Sequence, residues 1–313
     1  MKRLAALVLA CLWAVGLTAC ESPAPASSGS APVLRVGTLQ TDDLLPLWVA
    51  EQQGLLTEAG LDVRIETFQS AQEQIAAVTA GQIDAIMTDM VVGAQLSAAG
   101  TPMRFVTALQ GAPAGVAARA GADITQPADL AGVAAGCSSP TILEYIYERA
   151  LLEAGVAADQ IKTVEIKKLP VRLQMLTAGQ IDAAVLPWTL YQLALSQGAV
   201  PVVGLAQDEA YTSTVLAFRQ AWLDQPGSSA ALGTLLGVLD QAVGLINADP
   251  DAQRGLLADK ANLPAPLDTT YPVRPYPLSG PPEAGQVSAV LDWMTAKGYL
   301  TSPLTVEDLV WQS

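Results

Sequence analysis

The stretch TAGQIDA at residues 79–85 returns unchanged at residues 177–183, which is 98 positions later. Each copy follows an apolar segment with helical spacing and leads into a short apolar run that suits a buried strand. The glycine inside each copy suits the left-handed conformation that ends a helix. Repeats of roughly 20 to 50 residues indicate solenoids, whereas two copies at this wider spacing predict two similar lobes.

Strand and helix patterns alternate on both sides of this repeat. The run at 33–37 reads as a strand, the segment at 47–53 as an amphipathic helix, and the alternating run at 61–68 as a strand with one buried face. Strands that alternate with helices are typical of α/β domains with a largely parallel sheet. We therefore predict two similar Rossmann-like lobes with mixed, mostly parallel sheets. Two hinge crossovers are expected to join lobe 1, residues 33–109 plus 206–313, to lobe 2, residues 110–205.

The N-terminal segment has the pattern of an export signal. Lys2 and Arg3 precede an apolar stretch at 4–17 of signal-peptide length, and the sequence LTAC at 17–20 resembles a bacterial lipobox. We predict a signal peptide at 1–19, lipidation at Cys20 and a flexible linker at 20–32 rich in Ser, Ala and Pro. An ordinary secretory signal is the alternative. Contact with the membrane is expected only through the lipid anchor.

Composition excludes several functional classes. The formal net charge is −14, which argues against nucleic acid as a partner. The chain has no histidine, the commonest general base and metal ligand, and Cys137 is the only cysteine apart from Cys11 in the predicted signal peptide and Cys20 at the predicted lipidation site. We therefore expect no enzyme activity, no metal site and no cofactor, and we expect a monomer.

Polar residues follow several predicted strands, at the edge where α/β sheets bind ligands. The candidate ligand-binding residues are Thr41, Asp42, Asp43, Gln69, Ser70, Thr88, Asp89, Ser138, Ser139, Thr141 and Trp188. Each has a structural alternative: a solvated turn for the acids at 41–43, a helix cap for Ser139 followed by Pro140 at the first helical position, and a core ring for Trp188. Lys167, Lys168 and Arg172 are expected to be solvated.

Two of these positions favour different ligands. In the loop at 136–141 a strand ends and a helix begins, and the free N–H groups there favour a negative or electron-rich group. The acids at 41–43 instead suit a cationic, amino or hydroxyl-rich ligand. Trp188 offers a surface on which a flat heterocycle can stack.

Several segments resemble the type II periplasmic binding proteins, in the branch for nitrate, sulfonates, taurine and thiamine-pyrimidine precursors. They are LPLWVAEQQGLL at 45–56, QPADLAG at 126–132, GVAADQI at 155–161, and KGYL at 297–300 with VEDLV at 306–310. The resemblance implies a two-lobed clamp that closes by hinge rotation and is then recognised by a membrane permease. The loop at 136–141 resembles the segment that holds an anionic headgroup, although Pro140 and Thr141 replace its usual end.

The function expected from these observations is that of an extracytoplasmic, lipid-anchored binding protein of an ABC importer, on the periplasmic side or the cell surface. The expected ligand is a small heterocyclic vitamin or precursor, of the thiamine-pyrimidine or flavin type. A sulfonate- or nitrate-type anion is the alternative. A sensory or scaffolding surface lipoprotein is the alternative of another class, and an enzyme resembling pyrimidine synthases is disfavoured because those enzymes use histidine.

Overall fold

The computed structural model describes residues 33–111, 114–204 and 213–312. The predicted signal peptide, the lipidation site at Cys20 and the linker all lie outside these residues. The strands are β1 Leu34–Leu39, β2 Val63–Phe68, β3 Ala85–Asp89, β4 Met103–Gly111, β5 Ala114–Ala118, β6 Ala134–Cys137, β7 Lys162–Glu165, β8 Ala183–Pro187, β9 Val200–Gly204 and β10 Ser213–Arg219. The helices are α1 Leu45–Gln52, α2 Leu55–Glu58, α3 Ala71–Thr79, α4 Met90–Ala98, α5 Ile142–Glu153, α6 Leu169–Thr177, α7 Trp188–Ser196, α8 Gln220–Leu223, α9 Ser228–Ala248, α10 Arg254–Lys260, α11 Leu267–Thr270, α12 Ala284–Lys297 and α13 Val306–Leu309.

The strands form two sheets with the same plan. Their orders are β2-β1-β3-β10-β4 and β7-β6-β8-β5-β9. In the first sheet β1 runs parallel to β2 and β3, and β10 runs antiparallel to β3 and β4. In the second sheet β6 runs parallel to β7 and β8, and β5 runs antiparallel to β8 and β9. The predicted pair of similar lobes with mixed sheets is therefore confirmed.

The chain passes between the sheets twice. It leaves the first sheet after β4 and returns to it at β10, so the C-terminal part completes the sheet with which the described chain begins. The predicted lobe limit at 109/110 falls near the end of β4, and the limit at 205/206 falls at residues outside the description. The exact limits of the lobes stay a prediction.

Both copies of TAGQIDA do the same structural work. The glycine of each copy has a left-handed φ, of 73° in the first and 71° in the second, directly after α3 and α6. The aspartate of each copy forms a salt bridge with an arginine. Arg35 Nε lies 2.9 Å from Asp84 Oδ2, and Arg119 Nε lies 2.7 Å from Asp182 Oδ1. These acids directly precede β3 and β8, at the edge of each sheet opposite to the carboxyl ends of these strands.

One expectation from the sequence differs from the structure, and one agrees with it. The strand at 61–68 was expected to have a buried face, but Val63, Ile65 and Phe68 are only half-buried because β2 is an edge strand. The predicted break at residues 226–227 separates α8 from α9, where Gly227 has a φ of 85°.

Among the described residues, α9 is the helix that is long and apolar enough to cross a membrane. Its residues Leu235, Leu239 and Ile246 are buried in the core, and the helix packs against α1. Asp240 lies within it and accepts a hydrogen bond of 2.7 Å from the Ser279 N–H. A buried core helix can have the length and composition of a membrane span. The packing of α9 is that of a core helix.

Candidate functional site

A cavity of about 690 Å³, including its open mouth, lies between the carboxyl-end edges of the two sheets. Ligands bind at this edge in open α/β sheets because the strand-to-helix loops there present free backbone and side-chain groups. The lining residues come from both sheets. They are Leu39, Thr41, Asp42, Asp43, Ala71, Met87, Thr88, Asp89, Ser138, Thr141, Ile142, Leu143, Lys167, Leu169, Pro187, Trp188 and Thr214.

The structure brings together eight of the eleven candidate residues and places three elsewhere. Gln69, Ser70 and Ser139 do not line the cavity. The Ser70 hydroxyl caps α3 by accepting from the Glu73 N–H at 3.2 Å. Gln69 is exposed and its carbonyl accepts from the Leu169 N–H of the other sheet's α6, at 3.4 Å. The Ser139 N–H donates to Glu165 Oε2 at 3.0 Å.

Asp42 is held in a network that balances its charge. Its carboxylate accepts a hydrogen bond of 2.8 Å from the Tyr271 hydroxyl and pairs with Arg274 Nη2 at 3.3 Å. The Tyr276 hydroxyl donates to the Asp42 backbone carbonyl at 2.5 Å. These partners come from the irregular, proline-rich segment after α11, which thereby fixes the turn that carries both Asp42 and Asp43.

Asp43 has fewer compensating contacts. Its Oδ1 accepts from the Thr214 hydroxyl at 3.1 Å, and the side chain is buried. Burial and the neighbouring charge of Asp42 raise the pKa of Asp43 to about 7, against the opposing effects of Thr41, Arg274 and Thr214. A carboxyl with this pKa is partly protonated near neutral pH, and a cation bound beside it would favour its ionised form.

Asp89 lies at the junction of two helices. It is the N-cap of α4, where its Oδ1 accepts from the Val92 N–H at 2.9 Å. Burial raises the pKa of Asp89 to about 6, while the N–H groups of Val92, Ile142 and Val91 act in the opposite direction. Ile142 is the first residue of α5, so the Asp89 carboxylate faces the helix end at which sequence analysis expected a negative ligand group.

The loop before α5 differs from its predicted form. The helix begins at Ile142, and Thr141 is its N-cap without a side-chain capping bond. Ser139 was considered as the cap with Pro140 as the first helical residue; instead both precede the cap, and the bond between them is cis. The Thr141 hydroxyl donates to the Ser138 carbonyl at 2.7 Å, which fixes the loop at the cavity wall.

Trp188 forms an aromatic wall of the cavity. It is the first residue of α7, is half-buried, and stacks on Tyr191 with ring centroids 5.2 Å apart and planes at 29°. Tyr191 in turn packs against Gly115, where a Cβ would lie only 2.3 Å from the Tyr191 Cδ2. The indole is thus supported from one side and presents its remaining surface to the cavity, among apolar residues such as Met87 and Leu169.

Three cationic side chains near the cavity differ in their exposure and in their partners. Lys167 is exposed and lines the mouth. Lys168 is exposed and pairs with Glu73 at 3.0 Å, an ion pair that joins α6 to α3. The expectation that Arg172 is solvated is wrong: it is fully buried, and it donates to the carbonyls of Ile166 and Val185 at 3.0 and 2.8 Å, so it supports the second sheet from within.

Sequence reasoning missed the residues that support the acids. Tyr271, Arg274 and Tyr276 lie in the proline-rich segment TYPVRPYP, which has no helix or strand periodicity. Its alternation of tyrosine and arginine between prolines was the available signal, since such side chains pair with buried carboxylates. Within the described residues, no group of three or more His, Cys, Asp or Glu residues is arranged to hold a metal ion.

Comparison with known proteins yields structural neighbours and a family. No curated protein sequence matches the chain. The alkanesulfonate-binding protein SsuA from Xanthomonas axonopodis pv. citri, solved with MOPS, aligns with a TM-score of 0.78 at 20% identity, over 90% of this chain and 99% of that one. A ligand-binding component of an ABC-type import system from Staphylococcus aureus, solved with zinc, aligns with a TM-score of 0.73 at 13% identity, over 89% and 96%. A mutant of DSZB in complex with biphenyl-2-sulfinic acid aligns with a TM-score of 0.64 at 17% identity, over 89% and 96%.

These neighbours share the two-lobed type II periplasmic-binding-protein fold with the chain. Their sequence identities are low, so the likeness indicates a common fold and nothing more. The sequence match is more specific. The profile of the family described as NMT1/THI5 like matches residues 41–253, a range that contains the second sheet, every strand of the first sheet except β1, and most of the cavity lining. The chain therefore belongs to the NMT1/THI5-like family.

Proposed function

We propose that this protein is the ligand-capturing component of an ABC importer, held outside the cytoplasm. The observation that carries the proposal is the cavity between the two sheets, which gathers buried polar groups from both of them. Ligand sites have this form: concave, mostly apolar, with a few convergent polar groups. The Staphylococcus aureus neighbour supports the importer role by its description.

Binding rather than catalysis is favoured by the chemistry of Cys137. This cysteine is fully buried, and burial raises the pKa of its thiol to about 12. A nucleophilic cysteine reacts as the thiolate, which needs a lowered pKa and access to substrate. The sequence supplies no histidine as a general base.

Two ligand classes compete for the cavity. The SsuA neighbour favours a sulfonate-type anion, and Lys167 at the mouth and the N-terminus of α5 would contribute to holding it. A flat heterocycle of the thiamine-pyrimidine or flavin type is favoured by the supported ring of Trp188 and by the apolar lining. The comparisons favour the anion, whereas the carboxylates in the wall favour the heterocycle.

Thermal unfolding against a panel of solutes tests the binding role. A ligand present at about 100 times its dissociation constant stabilises the folded state by about 2.7 kcal/mol, which for a domain of this size raises the melting temperature by several degrees. We expect at least one class among vitamins, pyrimidines, sulfonates and nitrate to do so, and Trp188→Ala to reduce the shift. The absence of any shift across the panel and across a small-molecule extract of the host cell would contradict a binding role.

We also propose that the protein is anchored by lipid at Cys20, which would place the cavity near a permease while the linker leaves it free to move. Metabolic labelling with a fatty-acid analogue is expected to mark the wild-type protein and not Cys20→Ser. Release of the Cys20→Ser protein into the soluble fraction is the matching cell-fractionation result. Equal labelling of both proteins would contradict the anchor.

A further inference from the structure

The three carboxylates of the cavity are not equivalent. Asp42 is neutralised by Arg274 and by the Tyr271 hydroxyl, and it is turned toward the segment that follows α11. Asp43 and Asp89 have hydrogen-bond donors but no cation in direct contact among the described residues. The wall therefore carries two acidic groups that accept hydrogen bonds but form no ion pair within the part of the chain that the structure describes.

Asp43 and Asp89 are both neighbours of Thr214 in β10. In the pairing of β10 with β3, Thr214 is the direct partner of Asp89, so that their Cα atoms are about 5 Å apart. The Thr214 hydroxyl donates to Asp43 Oδ1 at 3.1 Å. Both acids thus flank the same residue, and both line the same cavity.

A buried hydroxyl at the same place lacks a partner. Thr41 Oγ1 lies in the cavity wall and has no partner with hydrogen-bond geometry among the described residues, although Thr41 is close enough to Asp43 to lower its pKa. The side chain is 6% exposed. Buried polar groups are nearly always satisfied by protein, water or ligand, so this hydroxyl is available to a polar group of a ligand beside Asp43.

We propose that Asp43 and Asp89 form a double acceptor site for a protonated amine or an amidine-like group of the ligand, and that Asp42 is a positioning residue. The inference rests on the proposed function and specifies the ligand class for it. The cationic group would lie between the two carboxylates near Thr41, and the body of the ligand would extend toward Trp188.

The same geometry opposes an anionic headgroup. An anion at the N-terminus of α5 would lie beside the Asp89 carboxylate, which already faces the Ile142 N–H. Two negative charges that lie side by side repel each other strongly where water is excluded. Lys167 is the cation in the lining, and it is exposed at the mouth, where solvent weakens its field.

The test uses four probes on the full chain purified in detergent: benzamidine and thiamine as cations, benzamide as a neutral isostere, and benzenesulfonate as an anion. Calorimetry is expected to show binding of at least one cation, weaker binding of benzamide and none of benzenesulfonate. Asp43→Asn is expected to weaken cation binding by at least about tenfold, the usual effect of losing a charge-assisted hydrogen bond. Asp182→Asn removes the same charge from an exposed site outside the cavity and is expected to change nothing.

The possible failures of this test are distinct. Binding of benzenesulfonate without binding of either cation would overturn the inference and leave the importer role intact, with the ligand class that SsuA suggests. Cation binding that survives in both Asp43→Asn and Asp89→Asn would also overturn it. If no probe binds, the inference is wrong, and the solute panel described above then decides separately whether the protein binds solutes at all.

Discussion

Removing the charge of Asp43 should make the ligand-free protein more stable, although this residue lies in the proposed binding site. Its pKa is raised from 3.8 to about 7 by burial and by Asp42, so the folded state resists its ionisation. A shift of one pKa unit corresponds to about 1.4 kcal/mol, which sets a ceiling of about 4 kcal/mol on the cost of the ionised group. Because the carboxamide keeps one acceptor for Thr214 but packs a new donor into the wall, we expect a gain of about 1 to 3 kcal/mol from Asp43→Asn.

The pH dependence fixes the sign of this effect. The folded state binds the Asp43 proton more tightly than the unfolded state, so the wild-type protein loses this contribution as the pH rises from the unfolded pKa to the folded one. Asp43→Asn should therefore resemble the wild type near pH 4 and exceed it near pH 8. The charged and titratable groups that act on Asp43 are Asp42, Arg274 and Tyr276, and Asp89 and Lys167 line the same cavity.

Urea unfolding of ligand-free protein near pH 4, 6 and 8 measures the difference, and Asp42→Asn is the matched control one residue away. That variant removes the carboxylate charge that pairs with Arg274 at 3.3 Å and accepts from the Tyr271 hydroxyl, so it should lower the free energy of unfolding by about 2 to 4 kcal/mol. The two substitutions are adjacent and chemically identical. If they change the free energy of unfolding in opposite directions, Asp42 and Asp43 have the different roles proposed for them. A loss of stability in Asp43→Asn near pH 8, or a gain that is the same near pH 4, would refute the reasoning.

Three further substitutions probe the scaffold of the cavity. Gly115→Ala places a Cβ 2.3 Å from Tyr191 and should cost about 1 to 3 kcal/mol in urea unfolding while weakening ligand binding through the displaced ring stack. Arg172→Met removes the donors to the buried carbonyls of Ile166 and Val185 and should cost about 2 to 4 kcal/mol by the same measurement. Lys168→Glu breaks the ion pair with Glu73, which is half-exposed, so stability should change by less than about 1 kcal/mol. Calorimetry should nevertheless show weaker ligand binding for this variant at low salt, because the pair joins helices of different sheets.

Each of these substitutions has a control in the chain. Gly237→Ala lies in α9 with open space around the added Cβ and should be neutral or stabilising. Arg64→Met removes an exposed arginine and should leave stability unchanged within about 0.5 kcal/mol. Lys162→Glu repeats the charge change on exposed β7 and should not affect binding. A binding defect in Lys162→Glu equal to that of Lys168→Glu would show that overall charge, not the contact between helices, is responsible.

Local sequence patterns were sufficient to predict the two sheets and eight of the seventeen residues that line the cavity. The repeat predicted the two lobes, and the rule that ligands bind at the carboxyl ends of strands selected Asp43, Asp89, Ser138 and Trp188 correctly as lining residues. These predictions succeeded because a helix stop, a strand and the loop after it are all encoded within about ten neighbouring residues.

The partners of the acids could not be predicted in the same way. Tyr271 and Arg274 reach Asp42 from more than 200 positions away, through a segment with no periodicity to place it. Arg172 was misjudged for a related reason: an arginine on an amphipathic helix is usually exposed, and only the fold shows that two strand carbonyls lie within reach of its guanidinium. Long-range polar pairing depends on the tertiary arrangement and has no local signature.

The 98-residue offset of the repeat shows which internal positions do equivalent work in the two lobes. Gln74 and Arg172 are related by that offset, and both are buried on the helix that follows the edge strand. Gln74 Nε2 donates to the Met87 carbonyl at 2.9 Å, and Arg172 Nη1 donates to the Val185 carbonyl at 2.8 Å. Met87 and Val185 are again 98 positions apart, so each lobe satisfies the same strand carbonyl with a different side chain.

At the cavity edge the same offset relates residues with different chemistry. Asp89 corresponds to Pro187, and Met90 corresponds to Trp188, although each pair stands at the junction of a strand with the next helix. The first lobe therefore contributes carboxylates to the cavity and the second contributes an aromatic wall, on two otherwise equivalent frames. A ligand that satisfies both surfaces needs a donor or cationic group at one end and a flat apolar body at the other. An inorganic anion such as nitrate has neither feature, so the asymmetry between the lobes favours an organic ligand with a protonated nitrogen.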